Sequence, residues 1–202
     1  MALTHFPQAL RAAVEAVLRI DATFAEIVAG TSEPQVGLIR LAWWREALER
    51  LDHSDPPAEP RLSAISKQCL VRGISGAMIA EIEDGYVGLL ETPADWHRVG
   101  KGGSALFRVI AALLGEQDDK LDAAGALTML ARTRNLAPED AKPIALEQLA
   151  TLRGHRFAKP LRPLTNLARL AARDFLRAES EPEATPGRAF SLLSHRLSGK
   201  VT

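Results

Sequence analysis

Apolar residues recur three and four positions apart along most of the chain, the spacing that places side chains on one face of an α-helix. The first such stretch starts near Pro7 and ends at the Gly- and Pro-containing break 30–34. The second runs from about Pro34 to Leu51, with Val36, Ile39, Trp43, Ala47 and Leu51 forming one apolar stripe. Further helices are predicted over about 61–72, around Met78 to Leu90, from Pro93 to Gly115, over 121–135, between 143 and 153, over 163–178, and around Phe190 to Leu197.

The same pattern contains no sustained alternation of apolar and polar residues and no internal repeat. Leu, Ala, Arg and Glu are abundant, whereas β-branched and aromatic residues are sparse, a balance that favours helix over sheet. The sequence therefore predicts an all-α fold, a single bundle of about eight or nine helices. We expect one domain over 1–202, with a polar linker at 179–187 before a short C-terminal helix.

Charge and cysteine content restrict the functional classes. The 25 basic and 25 acidic residues cancel, so nothing in the net charge attracts nucleic acid, although 132–162 has a basic bias. Cys69 is the sole cysteine, and we expect a buried thiol. The sequence has no apolar run long enough for a transmembrane segment and no secretory signal at its start. These features predict a cytoplasmic protein, or one peripheral to a membrane, that binds no nucleic acid.

Several local motifs suggest sites. Trp43 and Trp44 are adjacent and so point about 100° apart on a helix, which places one ring in the core and the other at its edge. We expect Arg40, Trp43, Trp44 and Arg45 to form a ligand or partner surface. The segment 100–104 lacks the order of a phosphate-binding loop, so we interpret it as a flexible turn before a helix. The five histidines are scattered, and no metal site is predicted.

One stretch of the sequence carries a family resemblance. Ser32-Glu33-Pro34 is followed by Gly37, Arg40-Leu41, Trp43-Trp44-Arg45 and Ala47-Leu48. This arrangement resembles the squalene/phytoene synthase-like family. It is most similar to the branch that lacks the Asp-rich motifs, which includes a mitochondrial complex I assembly factor.

The resemblance implies the isoprenoid synthase fold, a helical bundle around a cavity. Active members carry two acidic motifs, each with aspartates four residues apart, that hold Mg²⁺ on a diphosphate leaving group. The resemblance places the first pair at Ala25 and Ala29, both alanines, and the second near Leu136 and Asp140. One aspartate of four is therefore retained.

These departures favour a non-catalytic binding or assembly protein without a cofactor. Its expected partner is a protein, with an apolar or prenyl ligand as a second expectation. The alternative is a Mg²⁺-dependent prenyl-diphosphate transferase with relocated acidic residues. Its candidate catalytic residues are Asp21, Glu26, Glu81, Asp84 and Asp140. Three or more of these carboxylates facing one apolar cavity would favour the enzyme. A third hypothesis is a helical domain that only oligomerises, marked by a large exposed apolar patch.

Overall fold

The computed structural model describes residues 3–134, 136, 138–177, 182 and 185–202. These residues form helices and connecting turns, and they contain no strand beyond an isolated bridge between Arg156 and Lys200. The α-helices are α1 (Arg11–Ala29), α2 (Pro34–Arg50), α3 (Pro60–Gln68), α4 (Gly76–Ala80), α5 (Glu83–Leu90), α6 (Trp96–Leu113), α7 (Leu121–Thr133), α8 (Pro138–Thr151), α9 (Arg162–Leu176) and α10 (Pro186–Ser198). The all-α prediction is confirmed. Most of the predicted linker 179–187 lies outside the described residues, and α10 already begins at Pro186.

Polar side chains fix where several helices begin. The side chains of Glu59, Ser75, Asp95 and Thr185 each accept a hydrogen bond from a backbone N–H of the first turn of the following helix. The Asp52 carboxylate also accepts hydrogen bonds from the first two N–H groups of α4, at 2.6 and 3.0 Å. These contacts place the start of α4 at Gly76, which is therefore where the helix predicted around Met78 to Leu90 begins. In the structure that helix is divided into α4 and α5 at Glu81 and Ile82.

Helix α6 packs along α5 and α7 through glycines, and it is continuous across 100–104. Gly102 meets the backbone of Gly85, and Gly103 meets that of Gly125; a Cβ atom on Gly103 would lie 2.3 Å from the Gly125 carbonyl oxygen. The prediction of a flexible turn at Gly100–Ser104 is therefore wrong. The glycines there remove side chains so that three helix backbones approach closely.

The apolar stripe predicted on α2 is divided by the tertiary structure. Ala47 and Leu51 are buried, and together with Pro57 of the loop after α2 they line a groove. Val36, Ile39 and Trp43 are exposed, with Ile39 71% and Trp43 50% accessible. The core side of α2 instead includes Leu41, Trp44 and Leu48. The N-terminal half of the stripe is left as an exposed apolar face.

Candidate functional site

A buried polar network lies where α1, α5 and α7 meet. The Tyr86 hydroxyl donates to Oδ1 of Asp21 at 2.6 Å, and the Arg132 guanidinium donates to Oδ2 of Asp21 at 2.8 Å. A second Arg132 N–H reaches the Tyr86 oxygen at 3.3 Å. Asp21 and Tyr86 are buried, whereas 40% of the Arg132 side chain is accessible. The Phe24 ring packs against Tyr86, with 5.7 Å between centroids.

The charges of this network balance internally. Burial, with a smaller contribution from the Asp21 carboxylate, raises the pKa of Tyr86 well above its usual range, so the phenol stays protonated. The Asp21 carboxylate raises the pKa of Arg132 against the opposing effect of burial. Asp21 thus faces a permanent cation and a hydroxyl donor. These contacts neutralise the carboxylate and hold three helices together.

A second buried carboxylate, Glu83, is paired in the same way. Arg45 donates to Glu83 at 3.1 Å and to Glu49 at 3.0 Å. Burial raises the pKa of Glu83, and the Arg45 guanidinium opposes that rise. Arg45, predicted as part of a partner surface, therefore uses its guanidinium to link α2 to α5.

The structure brings two of the five predicted acids together at one groove of about 410 Å³. Glu81 and Asp84 line this groove, together with Arg45, Lys101, Ser104, Ala105, Arg108 and Asp122. Arg108 pairs with Glu81 at 3.2 Å and with Asp122 at 2.8 Å, and Arg98 pairs with Asp84 at 2.7 Å. Most of the residues that line the groove are charged, and its carboxylates are already paired with arginines.

The other predicted positions are dispersed. Glu26 is exposed on α1, Asp140 is exposed on α8, and Asp21 belongs to the buried network. Of the two alanines at the expected first acidic pair, Ala25 is half-buried and Ala29 is exposed. The first pair is thus represented by two methyl groups on α1.

A group with metal-ligand chemistry, which the sequence pattern did not predict, joins two loops. Ligand atoms of Asp118, Asp119 and His155 lie within 4.8 Å of one another. His155 Nε2 is 2.9 Å from Asp118 Oδ2, and the Lys120 ammonium group is 3.2 Å from Asp119. Because His155 is 37 residues from Asp118 in the chain, spacing alone gave no signal for this pair. In the structure the pair ties the α6–α7 loop to the segment before α9.

Of the two adjacent tryptophans of α2, one ring is buried in the core and the other lies at the protein surface. Trp44 is buried, and the Arg61 guanidinium lies 4.6 Å from its ring centroid. Arg61 is in turn held by Glu59 and by the Thr23 hydroxyl. Trp43 packs edge-on against Trp44, with centroids 5.2 Å apart, and remains half-exposed. Trp43 is therefore an exposed aromatic ring on a rigid support, and the exposed part of the predicted surface comprises Arg40 and Trp43.

Among the described residues, none of the helices combines the length and the apolar character that a membrane-spanning segment requires. Comparison with known proteins gave no match among curated proteins or solved structures. The family model for squalene/phytoene synthase matches residues 1–129, which span α1 to most of α7 and include the tryptophan pair. Because this match covers more than half of the 202 residues, the chain belongs to the squalene/phytoene synthase family.

Proposed function

We propose that this protein is a non-catalytic member of its family, which acts as a binding or assembly factor by docking a partner protein. The observation that carries the proposal is the pairing of carboxylates with arginines. Asp21 is paired with Arg132, Glu81 with Arg108, and Asp84 with Arg98. A guanidinium beside a carboxylate occupies part of its acceptor capacity and places a positive charge next to it, which opposes the binding of Mg²⁺.

The proposed docking site is the exposed α2 face, formed by Val36, Ile39, Arg40 and Trp43. The three apolar residues follow the i, i+3, i+7 spacing by which one helix packs on another. Trp43 is held by Trp44, so its ring loses little conformational freedom on binding. A groove beside it offers space for a side chain of the partner; its lining combines apolar residues with polar and charged ones, namely Trp43, Ala47, Leu51, Pro57, Glu46, Arg50, Ser54 and Asp55.

Calorimetric titration tests whether the protein retains the Mg²⁺-dependent diphosphate binding that catalysis in this family requires. Farnesyl diphosphate is added to the protein with and without Mg²⁺. We expect no Mg²⁺-dependent heat of binding, because neither acidic pair is complete. Mg²⁺-dependent binding that is lost in Glu81→Gln or Asp84→Asn would instead favour the alternative, a prenyl-diphosphate transferase that uses the groove beside Ser104.

The docking face is tested by comparing variants in capture experiments from the native host. Ile39→Ser/Trp43→Ser should lose the captured partner, because both side chains are exposed and contribute little to the core. Val71→Ser is the control, since Val71 lies outside α2 and is as exposed as Ile39. A partner retained by the α2 double variant would place the interface elsewhere.

A further inference from the structure

Helix α10 presents an apolar face outward. Phe190, Leu193 and Leu197 are 72%, 55% and 75% accessible, and their i, i+3, i+7 spacing places them on one side of the helix. The opposite side is buried through Ser191 and His195, which are hydrogen-bonded to Arg169 and Thr165 of α9. Three large apolar side chains in a row on an exposed helix mark an interaction surface.

A basic groove of about 480 Å³ adjoins this face. Its lining includes Lys159, Arg162, Arg196 and Leu197, and it contains no acidic residue. Leu197 belongs to both the groove and the apolar row, so the two features are continuous. None of the three cations has a carboxylate partner within 4 Å in the part of the chain that the structure describes.

Arg162 fixes the geometry of this junction. Its guanidinium donates to the carbonyl oxygens of Arg196 and Leu197, at 2.9 and 3.0 Å, which anchors the C-terminal turn of α10. Its Nε also donates to the Phe157 carbonyl oxygen at 3.2 Å. The second terminal nitrogen of the guanidinium has no protein acceptor in these contacts. The groove therefore contains a rigid cation with donor capacity to spare.

Basic residues outnumber acidic residues in the C-terminal part of the sequence, which contains most of this groove. Residues 153–202 include ten Lys and Arg but four Asp and Glu, whereas the full chain balances 25 against 25. Asp174, the acid of this segment that the structure describes, is paired with Arg188. Lys159, Arg162 and Arg196 therefore belong to a segment whose formal net charge is positive.

We propose that α10 and the adjoining groove bind the surface of an anionic lipid membrane. Phe190, Leu193 and Leu197 would lie at the boundary between headgroups and acyl chains, and Lys159, Arg162 and Arg196 would contact lipid phosphates. An apolar helix face bordered by unpaired cations has the chemistry of an interfacial membrane helix. Anionic lipid supplies both the apolar phase and the negative charge that this surface lacks. This surface is separate from α2, so the inference does not depend on the proposed partner-binding function.

Co-sedimentation with vesicles tests the proposal, using phosphatidylcholine alone and phosphatidylcholine with added phosphatidylserine. The wild-type chain should bind the anionic vesicles, and high salt should weaken that binding. Leu193→Ser/Leu197→Ser should weaken it by about tenfold or more, because the buried apolar area is lost. Lys159→Ala/Arg196→Ala should weaken it by about tenfold. Circular dichroism confirms that each variant remains helical.

Val71→Ser and Lys67→Ala are the matched controls, since both residues are exposed in or beside α3. They should bind anionic vesicles as the wild-type chain does. The proposal is overturned by equal binding to neutral and anionic vesicles, or by binding to neither. It is also overturned if inorganic phosphate binds the groove while vesicles do not. A wild-type dimer that Leu193→Ser/Leu197→Ser converts to monomer, without vesicle binding, would assign the face to contact between copies.

Discussion

At the residue scale, arginine determines what the acidic residues of this protein can do. Asp21, Glu83 and Asp84 each lie beside a guanidinium, and each pair joins two helices. A buried carboxylate without such a partner would be costly to keep ionised. The pairing makes these positions structural contacts, which is why acidic residues on helices were insufficient to identify a catalytic centre.

The Asp21 network allows a stability prediction. Asp21→Ala leaves Arg132 and Tyr86 without their shared acceptor, so the free energy of unfolding should fall by about 2–4 kcal/mol. Tyr86→Phe removes one hydrogen bond and should cost about 1–2 kcal/mol. Urea denaturation measures both changes. Because the residues share one network, the double variant should lose less than the sum of the two, and strict additivity would argue against a coupled network.

His195 provides a pH prediction. Its Nδ1 is 2.8 Å from the Lys200 carbonyl oxygen and its Nε2 is 2.9 Å from the Thr165 hydroxyl. Burial, together with the Arg169 and Arg162 cations, lowers the pKa of His195 below the ordinary value of 6.5. The unfolded chain therefore takes up a proton before the folded chain does. The contribution of neutral His195 to the free energy of unfolding is complete above pH 6.5 and is lost as the pH falls toward the lowered pKa of the folded state.

Urea unfolding measured between neutral and mildly acidic pH checks this expectation. The wild-type chain should lose stability as the pH falls below 6.5, and His195→Gln should lose less of it over the same window. Identical pH profiles for the two proteins would exclude His195 as the titrating group.

At the element scale, the helices are positioned by small residues as much as by large ones. Gly85 and Gly102 bring α5 against α6, and Gly103 and Gly125 bring α6 against α7. Close backbone approach lets the flanking side chains interdigitate over a long contact. Within the described residues, no neighbouring helix covers the outer sides of α2 and α10, which leaves two exposed apolar faces on different parts of the fold.

The glycine contacts predict very different losses of stability for two Gly-to-Ala variants in α6. Gly103→Ala would place its Cβ 2.3 Å from a backbone oxygen, so the helices must separate, and the expected cost is about 3 kcal/mol or more. Gly100→Ala would place its Cβ 3.3 Å from the Cβ and 3.9 Å from the Cα of Ala126, and its higher helix propensity should keep the change within about 1 kcal/mol. Thermal unfolding of both variants measures this contrast. Equal losses would mean that α6 and α7 are farther apart than described.

At the scale of the whole molecule, the buried side chains form one connected cluster that extends from α1 to Val201. Within the described residues, the helices thus share one apolar core. The one-domain prediction stays a prediction, and its consequence is cooperative unfolding.

Unfolding should therefore appear as one transition by two independent probes. Trp43, Trp44 and Trp96 report fluorescence from α2 and α6, while far-ultraviolet circular dichroism reports all helices. The two denaturation curves should coincide. A separate transition in circular dichroism alone would indicate that the C-terminal helices unfold independently of the family-matched part.

The sequence by itself determined the helical class, the approximate bounds of most helices and the family, because these depend on local periodicity and on the stretch around the tryptophan pair. It also determined that alanines stand at 25 and 29. Only the tertiary structure decided which Trp is buried, that Gly100–Ser104 is helical, and that Asp21 pairs with Arg132, 111 residues away. Periodicity gives each helix an apolar face, but the neighbouring elements decide how much of that face is covered and which distant charges meet.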